Sequence, residues 1–287
     1  MVPAATFAPY APLLFVVLWA TGFIGAKLGL PHAEPLSFLL IRYLLVITLM
    51  TGVALLMRAP WPRDLRHWFH IGVAGLLLHG IYLGGVFIAI SKGLPAGVTS
   101  LVVGTQPLLT AIGAGWVLGE AVLPRQWLGL VMGFVGVALV VSGKLGTGFG
   151  LDALWPALAA LLAITAGTLY QKRFCPRFDW RTGCVAQFLP TAVVTAIVVA
   201  MTEHFRIEWV PEFAFALGWL VLVLSVGAIS LLNMLIRSGS AVNLASLFYL
   251  VPPCTALIAW ALFDERLAGM ALAGMGLAVW GVYLARK

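Results

Sequence analysis

Hydrogen-bonding and ionisable side chains are scarce in this chain, and those that interrupt its apolar stretches carry whatever chemistry it has. They are Trp19 and Thr21; His79 and Tyr82; Thr99, Ser100 and Gln106; Tyr170 and Gln171; Ser230 and Asn233; and Asn243 with Tyr249. His79 and Tyr82 are three apart and share a face if the segment is helical. As a set, these residue types suit a cavity that stacks a ring and hydrogen-bonds an amino or carboxyl group. Singly, each can instead bond a neighbouring helix, which for Ser and Thr is the commoner role. Arg42 stands apart: it lies several residues inside an apolar stretch and needs a partner or a watery face.

Enzymatic chemistry is not expected. No Asp or Glu lies in the middle of an apolar stretch; Glu120, Asp264 and Glu265 sit at segment ends. There they would cap the helix that follows and favour its dipole. Glu120 and Glu265 as proton carriers is the alternative, and it fits less well because ionisable groups on a transport path usually lie deeper. His67 and His70 are three apart, but without an acidic or cysteine partner they make no metal site. The segment Gly143–Gly150 lacks the strand and the Lys-Ser/Thr of a phosphate loop and reads as a linker. No cofactor is expected.

The elements that must position these residues follow from composition. Hydrophobic residues make up 62% of the chain and charged residues 9%, against about 25% charged in a soluble domain. Apolar runs of roughly 20 residues, parted by short charged or turn-rich breaks, are membrane-crossing helices. The spans are about 10–30, 36–57, 67–90, 96–118, 126–141, 154–174, 182–201, 213–236, 242–263 and 267–285. The segment Ala89–Glu120 aligns without a gap on Met234–Glu265, at an offset of 145 that also puts Lys27 on Lys172, Gly129 on Gly274 and Gly136 on Gly281. The chain is therefore a duplication, with residues 1–142 and 151–287 as its repeats and 143–150 between them. Five crossings per repeat is odd, so the repeats are inserted in opposite senses. This all-α, ten-helix inverted-repeat plan is that of many transporters.

Of the seventeen Lys and Arg, eleven fall on the side of the termini, five on the other and one, Arg42, within a span. The excess places both termini in the cytoplasm and accounts for the positive net charge without a nucleic-acid surface. No cation precedes the first apolar run, so no cleaved leader is expected. Three cysteines imply no disulfide framework. Gly25 and Gly29, Gly80 and Gly84, Gly115 and Gly119, and Gly129 and Gly133 make small-residue stripes for close helix approach. Pro107, Pro252 and Pro253 should interrupt the fourth and ninth helices near mid-membrane, as kinks or as hinges. The repeat breaks where Tyr82 matches Gly227 and Tyr249 matches Gly104, which favours both rings as cavity lining over packing. Lys27 and Lys172 read as interface residues.

The duplicated unit resembles the EamA-type branch of the drug/metabolite transporter superfamily. The residues that carry the likeness are LWATGFIGAKLGL in the first span, Arg42 in LIRYLLV, QPLLTAIGAGWVLGE with GLVMGFVGVALVV after it, and the second copy VPPCTALIAWALFDERL followed by GMGLAVWGVYLA. The whole is most similar to the YddG-type exporters of aromatic amino acids. The resemblance implies a multi-pass carrier of the bacterial inner membrane that exports aromatic or other small amphipathic amino acids between its two halves; a monomer is the expected unit, though the residues themselves do not specify it. Another carrier type, for a sugar nucleotide or phosphate compound, would need several deep cations, and a passive channel is the alternative outside the carriers. With His79 as the only mid-span group titrating near neutral pH, a strict need for a proton gradient is not expected.

Overall fold

The computed structural model describes residues 10–94, 96–142, 150–175, 177–238, 240–263 and 269–286. Asp264 and Glu265, expected to act as caps, lie outside them, as does 143–149 of the linker. Among the described residues the chain is all helix, apart from one isolated bridge between Ala33 and Ile207. Nine helical stretches are long and apolar enough to cross a membrane, and Pro124–Val140 is a shorter apolar one. We number them α1 (Ala11–Gly29), α2 (Pro35–Leu56), α3 (Leu65–Ser91), α4 (Ala96–Leu118), α5 (Pro124–Val141), α6 (Leu151–Phe174), α7 (Trp180–Thr202), α8 (Pro211–Ser238), α9 (Ala241–Phe263) and α10 (Gly269–Arg286). Many begin with the chemistry a helix start needs: Pro occupies the first turn of α1, α2, α5 and α8, where its missing N–H costs nothing.

Four helices are not uniform, and their irregularities obey the repeat. In α3 the stretch Leu76–Ile81 is π-helical, and so is Leu220–Ala228 in α8; the offset carries the first into the second. α4 is interrupted at Gly104–Thr105, and α9 tightens to a 3₁₀ turn at Leu247–Leu250. Pro107 and Pro252 lie in the turn that restarts each helix, so the kinks fall where expected. The π turns have no proline, and periodicity alone does not announce them.

Two pairs of matched helices pack closely against each other. α5 and α10 meet along their glycines. A Cβ built on Gly281 would sit 2.4 Å from the Gly133 nitrogen, and one on Gly274 would sit 2.6 Å from the Gly136 oxygen. The contact of Gly129 with Gly281 is the symmetry mate of Gly136 with Gly274, so the seam complements itself. Where lipid supplies no hydrophobic drive, this closeness of backbones supplies the dispersion contact instead. The expected stripe at Gly115 and Gly119 does not do this: Gly115 has no close neighbour but a loop carbonyl, and Gly119 ends α4 with φ +67, the left-handed cap that glycine alone adopts freely.

The second pair is α2 with α7. At the end away from the termini, Glu203 accepts hydrogen bonds from the Leu36 and Ser37 amides at 2.9 and 2.7 Å. Glu34 in turn accepts from the His204 and Arg206 amides at 3.0 and 2.9 Å. The Arg206 amide, ahead of the His204 amide and both charges, holds the Glu34 carboxyl below its usual range. Each half thus caps a chain segment of the other.

Candidate functional site

Between the halves lies a narrow recess, walled by α1, α2, α3 and α8. Trp19 and Tyr82 stack across it with ring centroids 6.3 Å apart and planes 12° from parallel. Both rings also border a second, smaller recess, reaching Ser100 and Gly104 of α4 and Phe248 and Pro252 of α9. The aromatic pair thus borders two spaces, the first at the π-helical stretches of α3 and α8 and the second at the irregular stretches of α4 and α9. The edges of Phe15 and Phe248 close on Trp19 at 5.1 and 5.4 Å and leave its stacked face toward Tyr82.

Arg42 enters the larger recess from α2. It is buried, and its Nε donates to Ser225 Oγ at 2.9 Å. Ser225 lies in the π-helical turn of α8, and its own hydroxyl donates to the Leu220 carbonyl at 3.1 Å. The serine hydrogen is thereby spent on backbone, and the oxygen is left to accept from the guanidinium. At the matched place in the other half, Gln187 of α7 approaches the π-helical turn of α3, where His79 Nε2 lies 3.4 Å from its Oε1. His79 stacks on Phe188 at 4.2 Å, and its carbonyl accepts from the Tyr43 hydroxyl at 2.7 Å.

From His79 a hydrogen-bonded chain runs away from the recess. Gln187 Nε2 donates to Gln171 Oε1 at 2.7 Å, and Gln171 Nε2 donates to Asn233 Oδ1 at 2.8 Å. All of these side chains are buried, so the network meets the demand that polar groups in an apolar interior be paired. It ties α3, α7, α6 and α8 together.

The structure thus sorts the expected site residues. Trp19, His79 and Tyr82 line the recess. Gln171 and Asn233 belong to the polar chain behind it. Thr21 bonds the Leu18 carbonyl and accepts from the Trp219 indole at 2.9 Å, on another face of α1. Tyr170 bonds His70 at 2.6 Å, next to Phe174. Asn243 accepts from Gln126, and its amide is capped by Ser240. Ser230 is half-buried and Thr99 buried, and neither borders the larger recess.

Gln106 and Tyr249 are buried with polar atoms that find no partner among the described residues, as is Thr110. Tyr249 lies against Gly133, where a Cβ would come within 2.4 Å of its ring, and it borders neither recess. Arg42, which the sequence singles out as needing a partner or a watery face and whose repeat mate is Gln187, joins the recess. Ser225 is not among the residues the sequence singles out, and its repeat match is Gly80.

Three expectations at the ends of the bundle are corrected. Glu120 does not cap the helix that follows it. Its Oε2 accepts from the amide of Ala241, the first residue of α9, at 3.0 Å, while Oε1 pairs with Lys172 of α6 at 3.0 Å. α5 is instead capped by Gln126, which accepts from the Leu123 amide. Lys172 is accordingly an ion-pair partner and not merely an interface residue. His67 does have an acidic neighbour, with Asp64 at 3.8 Å, yet no cluster of three metal-ligating groups occurs among the described residues.

The Glu120 contacts join the first half to two helices of the second at the termini end. Both side chains are about one-fifth exposed, so solvent screens the pair. A double-mutant cycle of Glu120→Gln and Lys172→Met on melting should give a coupling of about 0.5–1 kcal/mol. Strict additivity would show that the pair does not latch the halves.

The comparisons with known proteins agree with this architecture. A chain of known crystal structure superposes with a TM-score of 0.78 over 98% of this chain and 96% of its own length, at 21% identity. The "Uncharacterized transporter YvbV" of Bacillus subtilis is 29% identical, covering 94% of this chain and 88% of that protein. A "Probable amino-acid metabolite efflux pump" of Salmonella typhimurium is 24% identical over 96% and 93% of the two chains. A "Probable terminal-alkyne amino-acid exporter" of Streptantibioticus cattleyicolor is 27% identical over 98% and 93%. The family model for the EamA-like transporter family matches twice, at residues 7–142 and 153–286. With nearly its whole length matched by two copies of that model, the chain belongs to the EamA-like transporter family.

Proposed function

We propose that this membrane transporter exports amino acids, aromatic or similarly amphipathic, across a bacterial inner membrane by alternating access. The observation that carries the reading is the recess between the halves, apolar and aromatic on most sides, with Arg42, His79 and Tyr82 as its polar members. Such a lining suits a small molecule with one ring or branched apolar group and one polar end, which the recess would admit by widening during the transport cycle. The names of two relatives, an efflux pump and an exporter for amino-acid compounds, point the same way. A sugar-nucleotide or phosphate carrier fits less well, because Arg42 is the one Lys or Arg among the described residues lining the recess. The closely packed pairs α2–α7 and α5–α10 would hold the frame while the irregular stretches of α3, α4, α8 and α9 absorb the motion, with Pro107, Pro252 and Pro253 at the restarts. Uptake of a labelled amino-acid panel into proteoliposomes, with and without a proton gradient, tests this. Saturable counterflow for aromatic members is expected, persisting in part when the gradient is collapsed. Flux proportional to concentration, without counterflow, would mean a channel.

The orientation is part of the proposal. The excess of Lys and Arg on the termini end puts that end in the cytoplasm. A reporter active only outside the cytoplasm, fused after Lys287, should stay silent, and strong activity would invert the assignment.

A further inference from the structure

Arg42 poses a problem that the rest of the molecule leaves unsolved. A guanidinium inside a membrane span is costly to place there, and such charges are normally paired. Yet among the described residues no carboxylate lies within ion-pair distance of Arg42, and its one hydrogen bond is the Nε contact with Ser225. Glu34, Asp64, Glu120, Asp152, Asp179, Glu203, Glu208 and Glu212 all lie in loops or in the first turns of helices. Arg42 is seven residues into α2 and borders the recess. Ser225 holds the Nε edge of the guanidinium, and among the described residues no carboxylate meets its two terminal nitrogens.

We propose that the missing partner is the substrate: Arg42 is the carboxylate-recognition residue, and the transported molecule must carry a carboxylate beside an apolar group. This deepens the amino-acid reading above and rests on the same recess. The guanidinium fork matches a carboxylate in plane and in spacing. The apolar group then lies against Trp19, Tyr82 and Phe23, all of which border the same space. Among the described residues no carboxylate borders the recess to await the ammonium of an amino acid. The amino group is therefore a weak determinant and the carboxylate a strong one. Ser225 is a positioning residue, because it fixes Nε through an oxygen that is itself anchored to the Leu220 carbonyl.

The test uses purified full-length protein in lipid nanodiscs and four probes of like shape: phenylalanine, 3-phenylpropionate, phenylalaninamide and phenethylamine. Binding is read by competition against labelled phenylalanine and by the shift in melting temperature. The two acids should bind at least about tenfold more tightly than the amide and the amine. Arg42→Gln should erase that preference while its ligand-free melting temperature stays within a few degrees of wild type. Arg42→Lys should keep part of the preference, and Ser225→Ala should weaken both acids about threefold without touching the amide. If Arg42→Gln does not fold, the lysine and alanine variants carry the decision.

Retention of the acid preference by Arg42→Gln, or by both of the milder variants at full strength, overturns the assignment. Wild-type binding of the amide or amine as tightly as the acids overturns it as well. Binding of 3-phenylpropionate without phenylalanine would instead sink amino-acid export and keep Arg42 as a carboxylate site. Saturable transport of phenylalanine with no preference for acids would do the reverse.

Discussion

Gly281→Leu is expected to leave almost no folded transporter. The side chain would begin 2.4 Å from the Gly133 nitrogen and 2.6 Å from the Gly129 oxygen. Both are backbone atoms of α5, so no rotamer change relieves the overlap and the two helices must separate. Overpacking a core usually costs about 1–3 kcal/mol. Parting a whole glycine seam also forfeits the contacts along it, so a loss on the order of 3 kcal/mol or more follows. The repeat sharpens the prediction: Gly136→Leu breaks the mate contact against Gly274 and should fail in the same way. Gly276, in the same helix but with nothing near its Cβ position, is the control, and Gly276→Leu should behave as wild type. The yield of monodisperse protein on size exclusion and the melting temperature read the outcome. A Gly281→Leu protein as abundant and stable as Gly276→Leu would mean that α5 and α10 do not pack this way.

The second large effect separates two tyrosines that look alike in the sequence. Tyr82 borders both recesses and stacks on Trp19. Removing its ring enlarges a space that already exists, so Tyr82→Ala should cut transport at least about tenfold with a melting temperature within a few degrees of wild type. Tyr249 is fully buried against Gly133 and borders neither recess. Tyr249→Ala should open a sealed void and cost about 3–5 kcal/mol. Its hydroxyl has no partner among the described residues, and leaving a buried polar group unmade costs about 1–3 kcal/mol. Tyr249→Phe should therefore hold or raise the melting temperature. Paired measurements of flux per folded molecule and melting decide the matter: normal flux in Tyr82→Ala, or a stable Tyr249→Ala protein with impaired flux, would exchange the two roles.

The amino-acid sequence by itself determines the number of crossings, the duplication and the opposed sense of the halves. The reason is solvent: a bilayer accepts only segments that satisfy their own backbone, and it demands a length and an apolarity that composition displays directly. The glycines of α5 and α10 are legible as packing residues, Gly129 matching Gly274 and Gly136 matching Gly281, but that the two helices meet, Gly129 against Gly281 and Gly136 against Gly274, is decided by the fold. The tertiary structure alone decides which buried polar residues meet. A helical period of 3.6 places His79 and Tyr82 on one face, but it does not say what that face meets. In an all-apolar helix there is no water-facing side to fix the rotation. So Trp19, His79 and Tyr82 converge on the recess, while Thr21, Tyr170 and Asn243 turn to other helices. The π-helical turns of α3 and α8 belong to the same class, since neither carries a proline to mark it. What makes Arg42 informative is likewise a tertiary fact: its hydrogen bond is to a serine 183 residues away, and whether a carboxylate comes within reach of a buried charge depends on helices that only folding brings together.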